Sequence, residues 1–213
     1  MSKILIINLF ILIFLFTGCS SIPMTTQDRT FNKYKDYDYC KIEAIKQSQK
    51  NSCGSASLAS VLNYWGIDIT EEDILKEYPL NEDEGYSILK LREISIDKGL
   101  TAHGYSMYES FDKQLEEQLL KGRPVICAVS FPNNLYFAKD IPIYSSFYSE
   151  LTWRFGTRRS HYLVIFGLND NKFLVMDSSH GLVSIEKSRF YNCWKKKDFG
   201  VLLCGKLDNF PDS

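Results

Sequence analysis

Histidine is scarce in this chain, with three in 213 residues, and no two cysteines have the CxxC spacing of a zinc site. Metal chemistry therefore has little to build on. The sequence contains no Walker-type GxxxxGK loop followed by Ser or Thr, so ATP has no evident place to bind. With a formal net charge of −1 at pH 7, it also lacks the basic excess of a nucleic-acid binder. The apolar run at residues 4–16, broken by Asn8, is too short to cross a bilayer as a helix. What is abundant is apolar and aromatic surface, 45% and 14% of the residues, enough for one globular domain with short appendages.

Lys3 and the apolar run lead into Phe16-Thr17-Gly18-Cys19. A positive start, an apolar core and small residues before a cysteine form an export signal. The expectation is a signal peptide at 1–18, lipid on Cys19, a polar tether at 19–41, and one domain at 42–213. Removing residues 1–18 takes away Lys3 and no acid, so attachment to a bacterial membrane would come from the lipid. The protein would then sit in the cell envelope, facing the periplasm or the exterior. Of the remaining cysteines, Cys127 lies in an apolar run and reads as core. Cys193 and Cys204 are a candidate bridge in an exported chain.

The stretch around Cys53 organises the rest. From Leu58 the apolar residues fall at 58, 61, 62 and 65, one face of a helix, and Gly66 is placed to stop it. Cys53 then sits at the first turn, where the helix dipole and unpaired N–H groups favour thiolate over thiol. A lone cysteine there also reads as a small buried hydrophobe, so partners elsewhere decide. Downstream, Thr70 caps a helix through the acids at 71–73. A third helix runs from about Ser87 to Lys98 with Gly99 as its stop. Thr101 to Met107 is a strand, Ser110 caps a helix ended by Gly122, and 124–130 is a buried strand. Residues 133–160 carry seven aromatics without period. They read either as a loop packed on itself or as a surface for substrate or a protein partner.

Residues 161–168 and 172–177 form two strands joined by Asn169-Asp170-Asn171. His161 opens the first and Asp177 closes the second. With a three-residue loop, His161 would face Ser179 and lie diagonal to Asp177 on one side of the sheet. A two-residue turn without a bulge would put them on opposite sides. Two further strands are expected around 183–185 and 201–203. His103 and His180 have no comparable placement.

A thiolate nucleophile needs a base, a group that fixes the imidazole, and donors for the oxyanion. Cys53, His161, Asp177 and Gln47 supply one candidate each. Gln47 before Cys53, Gly54 and Ala56 after it, a helix ending Tyr64-Trp65-Gly66, then His161-Tyr162-Leu163-Val164 and Asp177, resemble the bacteriocin-processing cysteine peptidases. That family includes the peptidase domains of peptide-exporting ABC transporters and stand-alone relatives. The resemblance spans roughly 42–206. It implies an α+β, papain-like fold with N-terminal helices packed on an antiparallel sheet. It also implies Cys53 as nucleophile, His161 as general base and acid, Asp177 as orienting carboxylate, and Gln47 with the Cys53 N–H as oxyanion donors, without cofactor or metal. Gln49 is a rival for the role of Gln47. Two departures stand out: no transporter segment is present, and the stretch at 133–160 is longer than the family's connection.

The leading expectation is thus an exported, lipid-anchored cysteine peptidase acting on a peptide or protein. Two alternatives share the site or the fold. One is an acyltransferase or transpeptidase that passes the acyl group to another acceptor. The other is a catalytically idle envelope protein that binds peptides.

Overall fold

The computed structural model describes residues 33–81, 84–132 and 158–209. The expected signal peptide, Cys19 and residues 133–157 lie outside them. The compact unit runs from Tyr34, so it takes in residues that the sequence had assigned to a tether. Tyr34 and Cys40 are buried in it, and Asp38–Tyr39 forms a short strand β1.

Helix α1 is Cys53–Tyr64, α2 Glu71–Glu77 and α3 Ile88–Asp97. Strand β2 (Thr101–Ser106) and helix α4 (Phe111–Leu120) lead to β3 (Val125–Pro132), β4 (Arg158–Leu168), β5 (Lys172–Asp177) and β6 (Gly181–Glu186). Helix α5 (Lys187–Trp194) and strand β7 (Gly200–Gly205) complete the elements that matter here. Among the described residues the strands form one antiparallel sheet in the order β2-β7-β3-β4-β5-β6. β5 occupies one edge of β4, and β3 the other as far as Ile165. β1 takes over from β3 at Gly167 and Leu168. This is the expected α+β architecture.

The start and stop signals work as their chemistry dictates. Thr70 and Asp73 form a reciprocal capping box, and Ser87 accepts from the Lys90 N–H. Gly66, Gly99 and Gly122 stop three helices at φ of +85°, +87° and +71°, which cost a glycine no steric strain. Ser110 is the exception: it precedes α4 with φ +51° and makes no side-chain cap.

One face of the sheet buries Val125, Cys127, Val129, Leu163, Ile165, Val175 and Val201 with Leu115 and Leu119 of α4 and Phe190, Cys193 and Trp194 of α5. Helix α5 was not expected. Its first turn, Lys187-Ser188-Arg189, is polar, and its apolar residues crowd into the last five positions. On the other face α3 lies across β2 and β7, where the Cys204 thiol donates to Ser95 Oγ at 3.4 Å and Arg92 Nε donates to the Ala102 carbonyl at 3.0 Å. Cys193 and Cys204 therefore belong to opposite faces. Both are free thiols, and the expected candidate bridge between them is not formed.

Helix α1 is buried continuously over nine residues, Gly54 to Leu62. The sequence pattern had indicated one apolar face. Its small residues (Gly54, Ser55, Ala56, Ser57, Ala59, Ser60) let neighbours approach from every side, as suits a helix inside a core. A Cβ on Gly54 would already touch Tyr162 of β4 and Leu91 of α3.

Candidate active site

Cys53 is the first residue of α1 and half-buried. Ser52 precedes it but does not cap the helix. Its hydroxyl instead donates to the Gln49 carbonyl at 3.0 Å and accepts the Gln49 N–H at 3.1 Å. The loop before Cys53 is held from three directions. Glu71, at the start of α2, accepts the Ser48 N–H at 2.9 Å, and Arg159 Nη2 donates to the Lys50 carbonyl at 2.5 Å. Gln47 ties the loop to the turn after β5: its side-chain Oε1 accepts from Ser178 Oγ at 2.8 Å and Ser179 Oγ at 3.1 Å.

His161 and Asp177 meet because of the register. Leu163 pairs with Asp177, so His161 lies two residues further along β4 on the same side of the sheet. The turn itself differs from the expected three-residue loop. Leu168 pairs with Phe173, and the Asn169 N–H donates to the Lys172 carbonyl at 3.0 Å, which leaves a two-residue turn at Asp170-Asn171. An irregularity between Ile165 and Gly167 supplies the extra residue that restores the register. His161 also lies inside β4 rather than at its start, because β3 pairs with β4 back to Arg158.

Nε2 of His161 lies 3.1 Å from Asp177 Oδ1, with the two residues 3% and 0% exposed. The other ring nitrogen, Nδ1, is left for the Cys53 thiol, with which the ring makes a hydrogen bond. Burial opposes charge on both groups. At Cys53 it is outweighed by the hydrogen bond and charge of His161, the Tyr162 backbone N–H and the nearby Arg159, so the thiol ionises below its ordinary range. At His161, burial is outweighed by Asp177 and Cys53, which raise the imidazole to about 10. Both shifts favour the thiolate–imidazolium form of the pair.

Asp177 has a second histidine. His180 Nδ1 lies 3.3 Å from Oδ2, while the Ser179 N–H donates to Oδ1 at 2.8 Å. Sequence reasoning set His180 aside because it follows the strand in a turn. The turn Ser178-Ser179-His180 before Gly181 curls it back onto the carboxylate. Gln47 is placed differently from its expected post beside an oxyanion. Its Nε2 donates to the Gln49 carbonyl at 2.7 Å and the Lys50 carbonyl at 3.2 Å. Neither Gln47 nor Gln49 lines the cavity in front of Cys53. That cavity, about 380 Å³, is walled by Cys53 and His161 with Lys50, Gly85, Tyr86 and Arg159 among others. His103 stands on β2, away from this wall. Among the described residues no group of three or more His, Cys, Asp or Glu is placed to hold a metal ion.

Solved peptidase structures resemble this one. A double glycine motif protease from an AMS/PCAT transporter, crystallised with its leader peptide, is 20% identical with a TM-score of 0.53, over 78% of this chain and 92% of that one. The peptidase domain of Streptococcus ComA, a bi-functional ABC transporter involved in quorum sensing, is 16% identical with a TM-score of 0.55, over 77% and 98%. A C39-like peptidase from Bacillus anthracis is 14% identical with a TM-score of 0.52, over 78% and 98%. At these identities the likeness is one of fold, the papain-like arrangement of helices on an antiparallel sheet. No curated protein matches the sequence. The model of the Peptidase_C39 like family matches residues 39–200, and the chain accordingly belongs to that family of C39-like cysteine peptidases.

Proposed function

We propose that this protein hydrolyses peptide bonds through an acyl-enzyme on Cys53. The observation that carries the reading is the chain from the half-buried Cys53 thiol through the buried His161 to Asp177, opening on a cavity at the N-terminus of α1. The Cys53 thiolate attacks the scissile carbonyl. His161, held by Asp177, gives its proton to the leaving amine and then takes one from the incoming water. The Cys53 N–H and the positive end of α1 support the oxyanion. Gln47 joins them by turning its amide nitrogen away from the Gln49 and Lys50 carbonyls. The neighbour crystallised with a leader peptide supports a peptide or protein as substrate. The signal at 1–18 and Cys19 support lipid anchoring in a bacterial envelope, and the aromatic residues at 133–160 a contact with substrate or partner.

The test is the rate of iodoacetamide alkylation at Cys53 against pH, with His161→Ala alongside. A thiol held ionised by its neighbours reacts on a plateau that begins well below the ordinary value of about 8.5. That plateau is lost in His161→Ala. A rate that follows an ordinary thiol and ignores the substitution would overturn the mechanism and favour an idle binding protein.

A further inference from the structure

The cavity in front of Cys53 is positively charged beyond what its chemistry requires. Lys50, Arg159 and Lys197 line it, and no acidic residue stands among the described residues of its wall. The chain as a whole carries a net charge of −1, so the cluster is a local concentration rather than a reflection of composition. The three cations come from separate places: the loop before α1, the start of β4, and the 3-10 helix Lys195–Lys197 after α5. The fold gathers them at one wall.

Their partners sharpen the point. Arg159 sits two residues before His161 on β4 and braces the Lys50 carbonyl through Nη2. Its guanidinium is also close enough to help lower the Cys53 thiol. Among the described residues neither the Lys50 nor the Lys197 ammonium pairs with a carboxylate, although Lys197 is half-buried. A lysine ammonium with no carboxylate against it gains a charge-assisted hydrogen bond when an anion arrives. The two lysine ammoniums therefore have charge to offer a ligand beside Arg159.

We propose that this wall is a carboxylate subsite: the enzyme selects peptides that carry a carboxylate within a residue or two of the bond cleaved, held by Arg159, Lys197 and Lys50. The inference rests on the peptidase reading above and names its substrate class. A carboxylate bound there brings a backbone past Gly85 and Tyr86 to Cys53. Gly85 has no room for a side chain on the Asn51 side, where a Cβ would sit 2.8 Å from the Asn51 carbonyl. The shared chemistry is a carboxylate, from a Glu or Asp side chain or from a chain terminus.

The experiment uses the full chain in neutral detergent and measures how three peptides slow iodoacetamide alkylation of Cys53. One is acetyl-Ala-Gly-Glu-Gly-Ala-amide. The second replaces Glu by Gln, and the third is the Gln peptide with a free terminal carboxylate. Because the peptides can slide along the cleft, the carboxylate finds the cations on either side of the sulfur. At low salt, half-protection by a carboxylate peptide is expected at about one tenth of the concentration needed for the Gln amide, the size of one charge-assisted contact. The first and third peptides separate a side-chain carboxylate from a terminal one, with the second as the control for both. The preference should shrink to less than twofold in Arg159→Gln/Lys197→Gln and as salt rises, each rate being normalised to the same variant without peptide. Equal protection by all three peptides, or a preference that survives in the double variant, would overturn the subsite. Either result would leave the peptidase reading intact provided alkylation alone still shows a plateau lost in His161→Ala.

Discussion

Asp177 carries two histidines, and its two oxygens are not equivalent. Oδ1 receives His161 Nε2 and the Ser179 N–H, while Oδ2 faces the partly exposed His180. Asp177→Asn puts an amide where two donors converge, so the imidazole loses its fixed orientation. Cleavage should fall about a hundredfold or more with the nucleophile still alkylatable, and a variant of undiminished rate would exclude the carboxylate from the mechanism. His180→Ala removes only the Oδ2 partner. A loss of about threefold to tenfold is expected, read as a slower alkylation plateau with an unchanged melting temperature. Gln47→Ala separates two roles. Loss of an oxyanion donor lowers kcat about a hundredfold with KM little changed, whereas loss of the tie to Ser178 and Ser179 alone would appear as lower stability with kcat retained. At this scale the residue types around Cys53 were legible, since cysteine at a helix start, a histidine and an acid in paired strands are local patterns. His180 was not, because its approach to Asp177 depends on how the turn after β5 closes.

The elements show why register was harder to read than type. The glycine stops and the Thr70 box act over three or four residues, and so they stand in the sequence. The pairing of His161 with Asp177 depends on an irregularity at Phe166 that offsets a two-residue turn, and nothing local in the sequence marks it. Two elements were missed for related reasons. β1 is only two residues long, and both are exposed. α5 hides its apolar face behind a polar first turn. β1 owes its place to Gly167: a Cβ there would come within 2.5 Å of the Tyr39 Cβ and 2.8 Å of the Asp38 carbonyl. Gly167→Ala should therefore push β1 off β4 and cost about 1–3 kcal/mol in urea unfolding. Gly99→Ala is the contrast, since nothing lies within 4 Å and only φ +87° resists it. Its cost should stay near 1 kcal/mol. Equal losses in the two variants would mean that β1 is not held by close packing against Gly167.

At the scale of the whole molecule, the fold sorts its thiols. Cys40, Cys127, Cys193 and Cys204 are at most 4% exposed. Burial raises the Cys40 thiol, pushes Cys204 up to about 12 and lifts Cys127 well above its ordinary range. Cys53 alone among the described cysteines is both accessible and lowered. Among the described cysteines this arrangement leaves one site where oxidation or alkylation can begin. A short pulse of iodoacetamide at pH 7 on the native full chain, isolated from its host in neutral detergent, should therefore place one label, at Cys53. The lipid proposed on Cys19, the sixth cysteine of the chain, would limit the same pulse after unfolding in guanidinium to five. Six labels would remove the lipid anchor from the proposal while leaving the active site untouched. A fast native label on Cys193 or Cys204 would instead contradict the packing of α5 and α3 on the two faces of the sheet, on which the placement of His161 and Asp177 also depends.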